Sequence, residues 1–225
     1  MRTIFLFLFL FHFTSDSNLH PLPLDKIFSK NYYLTYSDES RLFVSFDSVG
    51  TTRIEKGILN RSENYMLSKS DSELGILEDS TCFIMDNSDS TISIGPKSFV
   101  GTMLLLPLFD PYEIVSYAID NKMGFQKYVE DGRLTYDFIS FKKDEPIISI
   151  VISFYDPNNF SIKLIYQQMN RLREDIIRYM FVARPSNTFH AKIADFLYFK
   201  SGKYSPKEAY KRYFFTNAYL ILKKK

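Results

Sequence analysis

The sequence predicts one α+β domain built on a large antiparallel sheet that curves. Short stretches with apolar residues at alternate positions recur along the chain, separated by clusters of Ser, Asp, Asn, Gly and Pro. Only one internal segment carries full helix punctuation at both ends, and no repeat or low-complexity linker divides the chain. A length of 225 residues with 45% apolar content supplies a sizeable core and suits a single domain. The 28 basic and 26 acidic residues leave a net charge of +2, which gives no reason to expect nucleic acid as a partner.

Residues 1–17 read as a secretory signal peptide. Met1, Arg2 and Thr3 precede the apolar run Ile4 to Phe13, and Thr14, Ser15, Asp16 and Ser17 supply small and polar residues for cleavage. The run is shorter than the roughly 20 apolar residues that cross a bilayer. The mature domain is then residues 18–225, expected to be secreted or periplasmic. Cys82 is the single cysteine, so no internal disulfide can form, and its apolar setting TCFIMD suggests a buried thiol.

Pro23 to Tyr36 can be read as a short helix with Leu24, Ile27 and Phe28 on one face, although Tyr32, Tyr33 and Thr35 equally favour a strand. Leu42, Val44 and Phe46 then alternate, and Ser48-Val49-Gly50 is a turn signal. Lys56 to Ser68 reads as one strand, followed by strands at Leu74 to Leu77, Thr81 to Asp86 and Thr91 to Ile94, an antiparallel meander.

The apolar stretch GTMLLLPLF (101–109) breaks this rhythm. Asp110 is placed as an N-cap with Pro111 at the first helical position, and Ile114, Val115, Ala118 and Ile119 form one face of the helix that follows. Phe125 to Val129 and Leu134 to Phe138 flank the hairpin signal Asp131-Gly132. Ile148, Ile150, Ile152 and Phe154 are read as one face of a strand. Across the turn Asp156 to Asn159, the residues Phe160, Ile162, Leu164 and Tyr166 form the facing strand. Ile176 to Ala183, Ala194 to Lys200 and Tyr210 to Leu222 read as further strands, although Asp175 to Phe181 could equally open as a helix, and Ser205 to Glu208 reads as the cap of one helical turn.

Catalytic and metal chemistry find little support. The chain has three histidines, at 12, 20 and 190, no G-x-S-x-G elbow, no glycine-rich phosphate loop and no metal-ligand spacing. Carboxylate pairs Asp38/Glu39, Glu78/Asp79, Glu130/Asp131, Asp144/Glu145 and Glu174/Asp175 are read as solvated turn or element-end residues. No catalytic residue, metal or cofactor is expected. Asn60-Arg61-Ser62 and Asn159-Phe160-Ser161 match the glycosylation pattern. Lys223 to Lys225 read as a solvated tail that could touch anionic lipid. Met103, Leu105 and Phe109, with Met66 and Met85, either line an adaptable lipophilic cavity or simply pack the core.

The order of elements resembles the LolA-like outer-membrane lipoprotein-sorting proteins. The residues that carry the resemblance are PLDKIFSKNYYLTY, SFDSVGTTRIEKGIL, ENYMLS, GILEDSTCFIMDNSDSTISIG, DPYEIVSYAIDNK, IISIVISFYDPNNFSIKLIY and GKYSPKEAYKRYFFTNAYLI, most of residues 22 to 222. The resemblance implies an incomplete β-barrel closed by short helices, and a non-enzymatic carrier of lipid or lipoprotein acyl chains, expected as a monomer. The apolar concavity would then comprise Ile148, Ile150, Ile152, Phe154, Phe160, Ile162, Leu164 and Tyr166. Its lid would be Met103, Leu105, Phe109, Ile114 and Val115. No residue matches the family's lid-closing arginine; Arg41 and Arg53 do not correspond to it. The alternative is a structural or adaptor protein of the cell envelope with a solidly packed sheet and no cavity.

Overall fold

Most of the turn-bounded segments form strands. The computed structural model describes residues 23–45, 48–96, 110–142, 147–168 and 171–219. Helix α1 (Pro23–Phe28) leads into β1 (Tyr32–Ser45), β2 (Ser48–Ser62), β3 (Tyr65–Ser70), β4 (Glu73–Glu78), β5 (Thr81–Asp86) and β6 (Thr91–Pro96). Helix α2 (Pro111–Asp120) precedes β7 (Gly124–Glu130), β8 (Arg133–Ile139), β9 (Ile147–Phe154), β10 (Asn159–Gln168) and β11 (Arg171–Phe181). The last part comprises α3 (Ile193–Phe196), β12 (Leu197–Lys200), β13 (Lys203–Pro206), a 3-10 turn Glu208–Tyr210 and β14 (Phe214–Asn217).

Twelve strands join in one sheet, in the order β14-β6-β5-β4-β3-β2-β1-β11-β10-β9-β8-β7. Two antiparallel meanders, β1–β6 and β7–β11, meet where β1 pairs with β11 in the register Leu34 to Phe181 through Leu42 to Arg173. The two ends, β14 and β7, are not paired with each other, so the sheet does not close into a barrel. β12 and β13 form a separate two-stranded hairpin.

One core lies on the face that carries α1 and α2. Successive strand residues point to opposite faces, so Leu34 and Tyr36 of β1 join Ile162 and Phe160 of β10, Ile177 and Tyr179 of β11, and Ile150 and Ile152 of β9. Ile27 of α1 and Ile114, Val115 and Ala118 of α2 complete this cluster. The opposite face of β3 to β6 is buried too, because Leu67, Ile76, Phe83 and Ile94 are covered by Ala191, Ile193, Phe196 and Leu197. Phe83 stacks on Phe196 with ring centroids 5.0 Å apart, and the Tyr65 hydroxyl donates to the Ala191 carbonyl at 2.8 Å. Double-sided burial explains the near-continuous apolar runs of β4 and β5, where alternation is weak.

The α+β class, the large antiparallel sheet and the hairpin around Pro157 stand as expected, with Phe160 paired to Phe154 and Ile162 to Ile152. Several sequence readings are corrected. The helix read over Pro23 to Tyr36 stops at Phe28; Lys30 takes a positive φ of 52°, and the β-forming Tyr32 to Tyr36 join β1. Lys56 to Ser68 is not one strand, since the β2–β3 turn falls at Glu63-Asn64 between paired Ser62 and Tyr65. Ser48-Val49-Gly50 belongs to β2. Ala194 to Lys200 opens as α3 before becoming β12, and within Tyr210 to Leu222 the described strand is Phe214–Asn217, parallel to β6, with Leu220 to Leu222 outside the described residues. The signal segment, Met103, Leu105, Phe109, Asp144/Glu145 and Lys223 to Lys225 lie outside the described residues.

Phe160 anchors the main core: it is 1% exposed, stacked on Tyr179 at 4.8 Å and 5.3 Å from Phe154. Phe160→Ala is expected to lower stability by about 3–5 kcal/mol, the cost of a large core cavity, read from urea unfolding of both proteins.

Candidate functional site

The candidate site is the helix-bearing face of β8 to β11 together with the polar groups at its margins. Ile150, Ile152 and Ile162 are 0% exposed, Phe154 4%, Leu164 3% and Tyr166 2%. Ile114 and Val115 of α2 belong to the same cluster. The structure thus brings together most of the residues assigned to the apolar concavity, and in this state their surfaces are covered by the protein itself. Ile148 is the exception, 36% exposed. The register shifts between Ile165, paired with Ser149, and Tyr166, paired with Ile147, so Ile148 is the extra residue of a β-bulge and leaves the inner face.

Helix α2 is fastened to the sheet by charge. The Asp110 N-cap, 0% exposed, accepts from the Tyr112 amide at 3.1 Å, as its sequence position requires. It also accepts from the Tyr32 hydroxyl of β1 and from Nη1 of Arg61 on β2. The same Nη1 donates to Glu113 Oε1 at 3.0 Å, and the guanidinium sits 4.9 Å from the Tyr112 ring. Burial pushes the Asp110 carboxyl up, opposed by Arg61 and by the Tyr32 hydroxyl. Burial lowers Arg61, yet Asp110 and Glu113 more than offset it, so the guanidinium pKa ends raised. Tyr32 is held well above its ordinary value, first by burial and then by the Asp110 charge. The buried Arg61 Nε has no partner among the described residues.

Sequence reading placed Asp110 as a cap but gave Arg61 no role beyond the middle of a glycosylation tripeptide. That tripeptide is corrected here: Asn60 is 3% exposed inside β2 and cannot present its amide to a glycosyl carrier. A charged residue amid the apolar positions of a strand was the available signal for Arg61.

A second polar cluster lies in the β1–β11 seam. Arg173 donates from Nε to Asp175 Oδ1 at 3.0 Å and from Nη2 to Ser40 Oγ at 3.0 Å, and Ser40 Oγ donates to Asp38 Oδ2 at 3.0 Å. The Tyr166 hydroxyl of β10 donates to Asp175 Oδ2 at 2.5 Å. Asp38 is 4% exposed, and its Oδ1 has no partner among the described residues. Burial first, and then the Asp175 charge, push the Asp38 carboxyl up to about 7, against Ser40 and Arg173. Tyr166 is raised by burial and by Asp175. Asp38 and Asp175 are therefore not the solvated turn residues of the sequence reading; they stand inside strands, pointing to the core side. Alternation along Tyr36, Asp38 and Ser40 is the pattern that could have revealed this.

Glu130/Asp131 does occupy an exposed hairpin turn, His190 is exposed, and Cys82 is buried on the core side of β5. Among the described residues no group of three His, Cys, Asp or Glu side chains is placed to hold a metal. None of the described helices is long and apolar enough to cross a membrane.

No family model matches the chain, and no curated protein matches it. Among solved structures it is similar to the ywiB protein from Bacillus subtilis, at 10% identity and a TM-score of 0.28 over 68% of this chain and 93% of that one. The strand pairing above carries the fold description without it.

Two outcomes are expected from these clusters. Arg61→Met alone strands a buried carboxylate, with a loss of about 3–5 kcal/mol; adding Asp110→Asn should recover part of it, seen as a rise in the urea midpoint of the double variant over the single. Asp38 binds its proton more tightly folded than unfolded, so stability falls as pH rises from about 4, the usual carboxylate value, to about 7. In Asp38→Asn the side chain stays neutral, and urea unfolding across that window should show a flatter pH dependence.

Proposed function

We propose that the chain is an exported, non-enzymatic, monomeric binder of an acyl or other lipidic guest, working in the cell envelope as a half-barrel. The observation that carries this reading is the way the apolar face is covered. Over β8 to β11 it meets two short helices, and α2 is fastened by one buried ionic cluster at its N-terminus, Arg61–Asp110–Glu113. The buried Pro111, Ile114, Val115 and Ala118 of α2, with the partly buried Tyr112 and Tyr117, hold the rest of that cover. A cover of this size can lift as a unit, and a guest replaces its contacts with acyl surface worth about 25 cal/mol per Å².

The resemblance to lipoprotein carriers supports the same reading, and Arg61 pairs with Asp110 and Glu113 at the start of α2. The export assignment rests on the Met1 to Ser17 pattern, and an N-terminus starting near Asn18 on the mature protein would support it.

The alternative, an adaptor whose packed sheet binds partners at its margin, has one observation in its favour. The β7 edge strand leaves Phe125 53% and Val129 70% exposed while Ile150 and Ile152 are sealed.

Thermal unfolding of delipidated protein decides between them. Palmitate and a synthetic diacylglyceryl-cysteine peptide should raise Tm by several degrees, because a concentration a hundredfold over Kd is worth about 2.7 kcal/mol. An unchanged Tm with both probes, in the native chain and in Arg61→Met, would sink the carrier reading and leave the adaptor.

A further inference from the structure

The β12–β13 hairpin stands outside the large sheet. It is rooted by Leu197, 3% exposed, by the Lys207 amide donating to the Phe196 carbonyl at 2.9 Å, and by Tyr204, whose ring lies 6.0 Å from Tyr219. From that root Tyr198 and Phe199 project to opposite faces of the ribbon, 55% and 65% exposed, so that a ring flanks its tip on either side. The tip is a tight turn in which Ser201 and Gly202 both take positive φ, 53° and 73°.

The turn places Lys200 directly across from Lys203. Like charges opposite one another destabilise a strand pair, and no acidic side chain pairs with either among the described ion pairs. Lys207 lies 5.5 Å over the Tyr198 ring, so a third ammonium joins the aromatic surface. Across residues 197–212 five basic residues face one acid, Glu208, which is already paired with Lys211 at 2.5 Å.

Exposed aromatic rings beside unpaired lysines fit the membrane–water boundary, where amphipathic rings sit among headgroups and lysines meet anionic phosphates. We propose that the β12–β13 hairpin is a membrane-contact site for an anionic phospholipid surface, with Tyr198 and Phe199 entering the headgroup layer and Lys200, Lys203 and Lys207 meeting phosphates. The surface relieves the repulsion between the facing lysines and covers the projecting rings. This site is separate from the helix-bearing face, so it stands or falls independently of the guest reading.

Co-sedimentation of the full chain with vesicles tests it. Vesicles of phosphatidylcholine mixed with phosphatidylglycerol should pellet the protein, and vesicles of phosphatidylcholine alone should not; added salt should weaken the binding. Lys200→Glu and Lys203→Glu should each lower the partition coefficient at least about fivefold, the worth of one lysine near such a surface. Tyr198→Ala with Phe199→Ala should lower it as well. The control Lys56→Glu, an exposed lysine on β2, should leave it unchanged, and unaltered Tm in these surface variants shows that they fold. A native chain that stays in the supernatant with anionic vesicles would overturn the proposal, as would equal binding to phosphatidylcholine alone or an equal loss in Lys56→Glu. A carrier that extracts single lipids still remains in the supernatant, so failure here is distinct from failure of the guest reading.

Discussion

The pairing of β1 with β11 is the constraint on which the rest of the structure depends. Each meander alone is a run of local hairpins with one greasy face open to water. The seam joins residues some 130 to 150 positions apart in sequence, as in Leu34 with Phe181 and Ser40 with Asp175. It merges the two faces into one continuous surface that α1 and α2 can cover. Long-range closure of this kind is entropically costly, and it is offset by the density of apolar contacts on both sides of the seam, with Tyr36, Ile177, Tyr179 and Phe160 in one cluster.

The same seam carries the molecule's main concession to polarity. Tyr166, Asp175, Arg173, Ser40 and Asp38 form a chain of hydrogen bonds that ends on an unpartnered carboxylate oxygen. Burial of a carboxylate charge beside Asp175 destabilises the fold, and protonation of Asp38 removes that charge. Here sheet stability and proton binding are one property, set by burial and by the neighbouring Asp175. The other polar cluster, Arg61–Asp110–Tyr32, acts across layers: it ties a helix start to two strands, using a cap residue whose second oxygen is free for the guanidinium.

The two faces of the sheet are used differently. Over β3 to β6 the outer face is sealed by the chain's own C-terminal segment, with Ile193 and Phe196 packed on Ile76 and Phe83. Among the described residues, the inner face of β8 to β11 shares its cluster with Ile27 of α1, with Ile114, Val115 and Ala118 of α2, and with Leu59, Met66 and Cys82 of the other meander. The first cover stacks Phe196 on Phe83, whereas α2 is joined to the sheet by Ile114, Val115 and Ala118 and by the Arg61–Asp110–Glu113 cluster. The exposed aromatics of the β12–β13 hairpin grow out of the first cover, through Leu197 in its cluster.

By itself the sequence determined what depends on neighbours along the chain: the α2 start at Asp110-Pro111, the hairpins at Asp131-Gly132 and Pro157, and the apolar parity of β9 and β10 except at Ile148. Turn chemistry and side-chain period act over a few residues, so they are legible there. The extent of β1 and β2, the parallel seat of β14, the bulge at Ile148 and the burial of Asp38, Asp175 and Arg61 were decided only by the tertiary structure. Each of these depends on which strand or helix arrives from far away, because a carboxylate in a strand is solvated or buried according to what is laid over it.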